Sequence, residues 1–347
     1  MKDNSSVNLP IGIALLPIFF LVLLLSVNVF IYGDDSLNGT NQFILILSGL
    51  FGASLGFIYK VSYKEILKKI SNSVKSVTGA LLILLFVGAL AGTWMISGII
   101  PAMVYYGLKI LDPNIFLPAC VVICSIISVA TGSSWTTSAT VGIALVGIGK
   151  ALGIPPGMVG GAVIAGAYFG DKLSPLSDTT NLAAAVTKVD LFKHIKYLTY
   201  TTIPSISITL IVFIILGFMQ VSDGSTDNTY LLSAITEKFN ITLILFSVPI
   251  LVLIMIIKKT PPLIALVIGT LVGAIFAIIF QPQIISELSA GSYSKLTNTY
   301  VVIMDTITGP ISIETNNVIL NDLFSTGGML GMMNTIFLVI GTMVFGG

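Results

Sequence analysis

Long apolar runs separated by short polar connections dominate the chain. They fall at Pro10–Ile31, Gln42–Tyr59, Gly79–Leu108, Ile115–Gly149, Gly157–Thr187, Thr199–Gln220, Ile241–Ile257, Pro262–Phe280 and Gly328–Gly347. About 20 apolar residues are enough for a helix to cross the hydrocarbon core of a bilayer, so each run predicts a membrane helix. The short alternating segments that build outer-membrane barrels are absent. The third, fourth and fifth runs are too long for one straight span, and each carries Gly, Pro or hydroxyl residues near its centre. Unwound backbone is tolerated at membrane depth only where protein buries it or water reaches it. These three runs are therefore where the pattern predicts breaks or re-entrant turns, within an all-α polytopic membrane fold.

Composition agrees with the pattern. Hydrophobic residues make up 55% of the 347 positions and charged residues 9%, against about 25% charged in a soluble domain. The first apolar run exceeds the roughly 7–15 residues of a signal-peptide core and no small-x-small cleavage site follows it, so it reads as a retained helix. A net charge of +1, with no basic patch interleaved with aromatics, gives no footing for nucleic acid. The 16 basic residues are all Lys, which removes the usual bidentate binder of carboxylate or phosphate. Cys120 and Cys124 lie four apart in an apolar run with no second pair, a spacing that suits packing better than metal or redox chemistry.

Lysines orient the helices. Lys2, Lys60, Lys64, Lys68, Lys69, Lys75, Lys188, Lys193, Lys196, Lys258 and Lys259 all fall on one side of the predicted spans. The positive-inside rule makes that side cytoplasmic, with the N-terminus inside and the loops around Asp34–Asp35 and Asp223–Asp227 outside. Residues 112–187 must then cross an odd number of times. The simplest solution makes Ile115–Gly149 a re-entrant hairpin and Gly157–Thr187 one broken crossing; three crossings also satisfy the count. Ser62–Val77 aligns Ile66, Leu67, Ile70, Val74 and Val77 opposite its lysines, and Leu191–Leu198 carries a shorter stripe. Both predict helices lying in the membrane interface. Residues 281–326 hold a weaker stripe through Leu296, Tyr300, Met304 and Ile307, to which no role attaches.

Between Pro113 and Thr187 the charged residues are Lys150, Asp171, Lys172 and Asp178. A carboxylate at mid-membrane costs about 2.5–3.5 kcal/mol on insertion scales, and such residues usually mark ion pathways. Pro175 lies between the two acids. It has no N–H to donate, so a helix running through it would leave the carbonyl of Asp171 unpaired. Ser177 or Asp178 is suited to cap the half-helix that follows. Carboxylates, hydroxyls and free carbonyls are hard oxygen ligands for small cations, and broken transporter helices hold Na⁺ in this way. The plainer alternative is a proline kink with Asp171 paired to Lys172 or a distant Lys, which leaves Asp178 without a role. Upstream, residues 132–140 read GSSWTTSAT, rich in hydroxyls at the middle of the predicted hairpin; such residues also serve as packing contacts between membrane helices.

GSSWTTSAT followed by AGAYFGDKLSPLSDTTNLAA resembles the signature stretches of the NhaC-type Na⁺/H⁺ antiporters, within the wider ion-transporter superfamily of inverted repeats. The match is specific over residues 101–187 and looser beyond, where GMLGMMNTIFLVIGTMVFGG at Gly328–Gly347 is similar to the start of the family's second repeat. The resemblance implies Na⁺/H⁺ exchange by alternating access. It points to Ser133, Ser134, Thr136 and Thr137 on the hairpin, and to Asp171, Ser174, Ser177, Asp178, Thr179, Thr180 and Asn181 at the break. It also implies one transporter domain over 1–347, with a first repeat at 79–220 and an incomplete second repeat at 241–347. The family continues through a second hairpin and broken helix, so the sequence is expected to be truncated at its C-terminus.

Burial disfavours a charged carboxylate, so a proton and Na⁺ would compete for Asp171 and Asp178, with Asp178 favoured as the proton carrier for its place at a helix start. No cofactor is expected; Na⁺ and H⁺ are the transported ions, the lipid bilayer of the inner membrane is the partner, and a homodimer is open. A carrier of organic anions such as malate or lactate is the alternative, because relatives of the family are linked to them and half-helix N-termini bind carboxylates. An intramembrane enzyme has little footing: His194 is the lone histidine and neither H-E-x-x-H nor G-x-S-x-G occurs.

Overall fold

Prolines open many of the helices and glycines close several, as their backbone chemistry requires. The computed structural model describes residues 10–110, 112–132, 134–175, 177–219, 228–258, 260–289, 294–315 and 318–347. The helices are α1 (Ile11–Tyr32), α2 (Thr40–Ile58), α3 (Tyr63–Ile96), α4 (Ile99–Ile110), α5 (Pro113–Thr131), α6 (Ser134–Thr137), α7 (Ile143–Ala151), α8 (Pro156–Leu173) and α9 (Asp178–Thr187). They continue with α10 (Leu191–Met219), α11 (Asn228–Lys238), α12 (Ser247–Ile257), α13 (Pro262–Phe280), α14 (Pro282–Leu288), α15 (Lys295–Thr308), α16 (Val318–Leu323), α17 (Gly328–Gly331) and α18 (Met333–Gly346). Two two-residue strands, Ile311–Ser312 and Ser325–Thr326, pair antiparallel with Ile311 opposite Thr326. Among the described residues the fold is all-α apart from this bridge.

Among the described residues α1, α2, α3, α10 and α13 are long and apolar enough to cross a bilayer, and the α11–α12 pair, bent by 86°, makes a sixth if counted as one span. Only 6% of the apolar window is buried in α1 and in α10, so these two helices turn their apolar surface outward, as lipid-facing helices do.

The chain forms two compact units. One takes the described residues up to Leu85 with Met329–Gly347; the other is Phe86–Gly328. In the first, Asn28 donates to Thr40 Oγ1 and Asn41 Oδ1, both at 2.8 Å, pinning α1 to α2. Gln42 Nε2 donates to the Asn334 carbonyl at 3.1 Å, tying α2 to α18.

In the second unit α5 and α8 share the most extensive helix–helix contact, and α10 packs on both. Three chain breaks meet at Gln281, which is 3% exposed and follows α13 directly. Its Oε1 accepts from the Asn240 N–H at 3.0 Å and its Nε2 donates to the Asn240 carbonyl at 2.9 Å, spanning the bend between α11 and α12. The same amide fills the space where a side chain on Gly98 would lie, and Gly98 has a φ of +79° at the break between α3 and α4. Trp94 Nε1 donates to the Gly269 carbonyl at 3.2 Å, holding the end of α3 on α13.

Several expectations are corrected. Residues 62–77 do not form a separate interfacial helix: they are the first turns of α3, one helix of 34 residues. No Gly or Pro lies in that stretch, and at Gly79, just beyond it, a Cβ would meet nothing within 4 Å. At 1.5 Å per residue α3 is about 51 Å long, well beyond the roughly 30 Å of hydrocarbon, so its lysine-bearing start has room to extend past the apolar layer. Likewise residues 191–198 run continuously into α10. Residues 281–326 hold α14, α15, α16 and the strand bridge, and α11 lies in a stretch read as connection.

Gly98→Ala forces a Cβ into the Gln281 amide in a left-handed conformation, and Gln281→Leu strands the N–H and carbonyl of Asn240. Each is expected to cost about 2–4 kcal/mol, read as a clear fall in melting temperature in detergent; an unchanged melting temperature for both would refute the clamp.

Candidate functional site

The site assembles from a helical hairpin laid against a broken helix. Asp112 caps α5, its side chain accepting from the Asn114 N–H at 2.8 Å, and Pro113 supplies the first helical residue. The helix ends at Gly132, where φ is +71° and the N–H bonds back to the Ser128 carbonyl at 2.8 Å. The chain reverses there. The hydroxyl-rich stretch is therefore not an open loop: from Ser134 onward it forms the first turns of the hairpin's second arm, with a π-helical turn at Ser138–Gly142 before α7. Ser133 lies outside the described residues.

Glycines set how closely the arms approach α8. A Cβ on Gly170 would lie 2.5 Å from Ser128 Cβ and from Val129 N, and one on Gly166 would collide with the Val121 carbonyl. Gly142 and Gly149 admit Val163 and Val159 of α8 in the same way. The four-residue spacing of Gly166 and Gly170 is the small-residue pattern by which membrane helices bring backbones together.

Three hydroxyls stitch the hairpin to the broken helix. Ser128 Oγ donates to the Ala167 carbonyl, Ser174 Oγ to the Val129 carbonyl at 2.8 Å, and Ser134 Oγ to Asp171 Oδ2 at 2.9 Å. Ser134, Ser174 and Thr137 are buried, and Asp171 is half-buried. The hairpin's turn thus lies directly against the carboxylate of Asp171.

The break follows from Pro175. α8 ends at Leu173 and α9 begins at Asp178. The Asp171 carbonyl, which a straight helix through Pro175 would leave unpaired, accepts the Ser174 N–H at 3.3 Å and the Thr180 hydroxyl at 3.3 Å. The Lys172 carbonyl accepts the same hydroxyl at 3.2 Å. Ser177 is the cap of α9: its Oγ accepts from the Thr180 N–H at 3.4 Å and lies 2.9 Å from Thr179 Oγ1. Ser177 and Thr180 are buried, whereas Thr179 and Lys172 are exposed. Asp178 begins α9, Asn181 lies in its first turn and Thr136 lies in α6; the side chains of these three are outside the description.

Chemically, this is a cluster of oxygens: one carboxylate, several hydroxyls and the carbonyls of a helix end. Among the described residues no three His, Cys, Asp or Glu side chains gather to hold a metal. A cation held here would draw on hydroxyls and backbone carbonyls beside Asp171, ligands suited to a hard ion. Sequence reasoning missed Ser128 and the carbonyls of Val129 and Ala167, which carry two of the three stitches; the Gly166–Gly170 spacing was the available signal for that approach.

A hairpin packed on a proline-broken helix, within helices long and apolar enough to span a bilayer, defines an all-α polytopic membrane transport protein. The chain belongs to the Na⁺/H⁺ antiporter family, whose model matches residues 166–347. It is 39% identical over 330 residues to a malate-2H⁺/Na⁺-lactate antiporter of Bacillus subtilis, covering 94% of this chain and 66% of the relative. It is 36% identical over 303 residues to the Na⁺/H⁺ antiporter NhaC of Alkalihalophilus pseudofirmus, covering 87% and 63%. An arginine/ornithine antiporter, ArcD, of Halobacterium salinarum is 33% identical over 97% of this chain and 66% of its own length. The chain thus spans slightly under two thirds of these relatives' lengths. No solved structure matches it.

Gly170→Ala should drive α5 and α8 apart and lower the melting temperature by the equivalent of about 1–3 kcal/mol. Gly160→Ala, where a Cβ meets nothing within 4 Å, should be neutral or stabilising by up to about 1 kcal/mol. Equal effects from the two would show that the close approach does not matter.

Proposed function

We propose that this chain carries the ion-binding core of a secondary transporter that exchanges Na⁺ for H⁺ by alternating access. The observation that carries the proposal is the bond from Ser134 to Asp171, because it joins the hairpin and the broken helix at an ionisable group. Asp171 and Asp178 take either a proton or Na⁺. Ser134, Thr137, Ser174, Ser177 and Thr180, with the backbone carbonyls of the break, complete the cation shell; Ser133, Thr136, Thr179 and Asn181 belong to the same proposed set. Because a proton and Na⁺ compete for the same carboxylate oxygens, one site couples the two ions. The N-terminus is cytoplasmic, the membrane is the inner membrane, and a first repeat at 79–220 and the start of a second at 241–347 belong to the alternating pathway. A homodimer is compatible with this reading and not required by it. The relatives are named as antiporters, so the chain is read as a transporter rather than an enzyme.

A second reading is favoured by the similarity to the malate/lactate antiporter. There an organic anion would meet the start of α9, where helix N–H groups favour negative charge.

Both readings are tested in proteoliposomes by proton movement after a Na⁺ jump, using the full-length protein. Flux is expected with Na⁺ alone. Asp171→Asn and Asp178→Asn should each cut it at least about tenfold, equivalent to about 1.4 kcal/mol. Ser134→Ala should raise the half-saturating Na⁺ concentration about tenfold, as expected from loss of one hydrogen bond to a charged group. Undiminished flux in both Asn variants would overturn the assignment. Flux that requires malate or lactate would move the conclusion to the organic-anion carrier.

A further inference from the structure

The apolar stripe through Leu296, Tyr300, Met304 and Ile307 falls on α15, and the ion site makes no use of it. Along this helix three kinds of side chain separate by angle, at about 100° per residue. Val302 and Thr306 lie on one side and are buried. Leu296, Tyr300 and Met304 lie on a second side, within an arc of about 80°, and all three are exposed, Leu296 by 82% and Tyr300 by 63%. Half-buried Ile307 falls inside the same arc. Thr297, Asp305 and Thr308, all exposed, make up the third side, with Val301 the apolar exception among them. A helix wholly in water would leave the second side without an apolar partner, and one wholly in lipid would strand Asp305 there. Helices that divide their surface in this way lie at membrane surfaces.

Packing puts α15 at such a surface. α3 and α13 run side by side in the same direction: a Cβ on Gly269 would lie 2.9 Å from Leu90, and one on Gly273 2.9 Å from Trp94. α13 has 19 residues, about 28 Å by helix rise. That is close to the roughly 30 Å of hydrocarbon, so its end at Phe280 marks an edge of the apolar layer. α15 is fastened near that edge at two points. Asn298 and Thr299 share a cleft of about 460 Å³ with Ile278, in the last turn of α13. A Cβ on Gly92, in the last turns of α3, would collide with the Thr306 carbonyl. By helix rise these anchors lie about 3 Å and 6 Å inside the ends of the two helices. The exposed face of α13, through Leu271, Ile275 and Ile278, runs into the same cleft.

We propose that α15 is an interfacial helix seated in the bilayer, with Leu296, Tyr300 and Met304 among the acyl chains. Thr297, Asp305 and Thr308 then face water. Tyr300 suits this level, because its ring is apolar while its hydroxyl can stay among the headgroups. The lipid-facing surface of α13 continues across the cleft onto the stripe of α15. A second protein chain fits less well: three exposed side chains fall short of the roughly 800 Å² per partner of a stable interface. A bilayer needs no such area, because α3 and α13 already hold α15 against it. The inference is independent of the ion site.

The test is nitroxide labelling of the full chain in liposomes. Labels at Leu296→Cys and Tyr300→Cys are compared with labels at Asp305→Cys and Thr308→Cys. Each is scored by collision with oxygen, which concentrates in lipid, and with a water-soluble nickel chelate. Cys120 and Cys124 are buried and stay in place, and the unaltered chain supplies the background. The first pair should collide mainly with oxygen and read depths of about 5–10 Å below the headgroups. The second pair should collide mainly with the chelate. All four changes fall on exposed side chains, so packing is retained. Chelate-dominated collisions at Leu296 and Tyr300 would put the stripe in water. Shielding of these two from both reagents would put protein over it, and oxygen-dominated collisions at all four positions would sink the whole helix in lipid. Each of these three results overturns the proposal.

Discussion

Backbone polar groups removed from water must find partners, and Pro175 makes that demand where none is available from the helix itself. Everything at the site follows from how the demand is met. The helix stops, Ser177 restarts it, and the Thr180 hydroxyl reaches back to the stranded carbonyls of Asp171 and Lys172. The same interruption frees Ser174 to bond the neighbouring hairpin at Val129. A straight helix would hold none of these oxygens beside the carboxylate. The hairpin comes close enough only because Gly166 and Gly170 remove two side chains from the contact.

The parts of the fold legible in sequence were those fixed by local chemistry. Apolar run length gave α1, α2 and α13 nearly to the residue, and the proline between two acids gave the break between α8 and α9. Gly132, embedded in hydroxyl residues, marked the reversal of the hairpin. What stayed hidden depends on partners distant in sequence. The stripe at residues 62–77 has the same appearance whether its helix lies flat or continues, and only the lack of a breaker, confirmed by packing, decides for α3. Gln281 gives no sign in sequence that it clamps Asn240, because the two are 41 residues apart and neither belongs to a motif. Ser128 looked like one more small residue in an apolar helix until α8 was laid beside it.

The relatives place this chain in a family whose named members are antiporters for different solutes: sodium and protons, malate and lactate, arginine and ornithine. An oxygen-lined break is chemically economical for such a range. Carbonyls and hydroxyls accept a small cation, while the start of the following half-helix offers N–H groups to a carboxylate. Specificity between these outcomes would then rest on side chains around the break rather than on the break itself.

The π-helical turn at Ser138–Gly142 gives the second arm one residue more than an α-helix would use over that length. The arm is held from its far side, where Gly142 and Gly149 receive valines of α8. Each residue advances a helix by about 100°, so the surplus residue sets the angular phase of everything before it, including Ser134 and Thr137. Excising one residue from that turn would leave the composition of the stretch nearly unchanged and yet swing the Ser134 hydroxyl a quarter-turn or more away from Asp171. Geometry at the carboxylate is therefore encoded partly in a residue count, one helical turn or more from the atoms that use it.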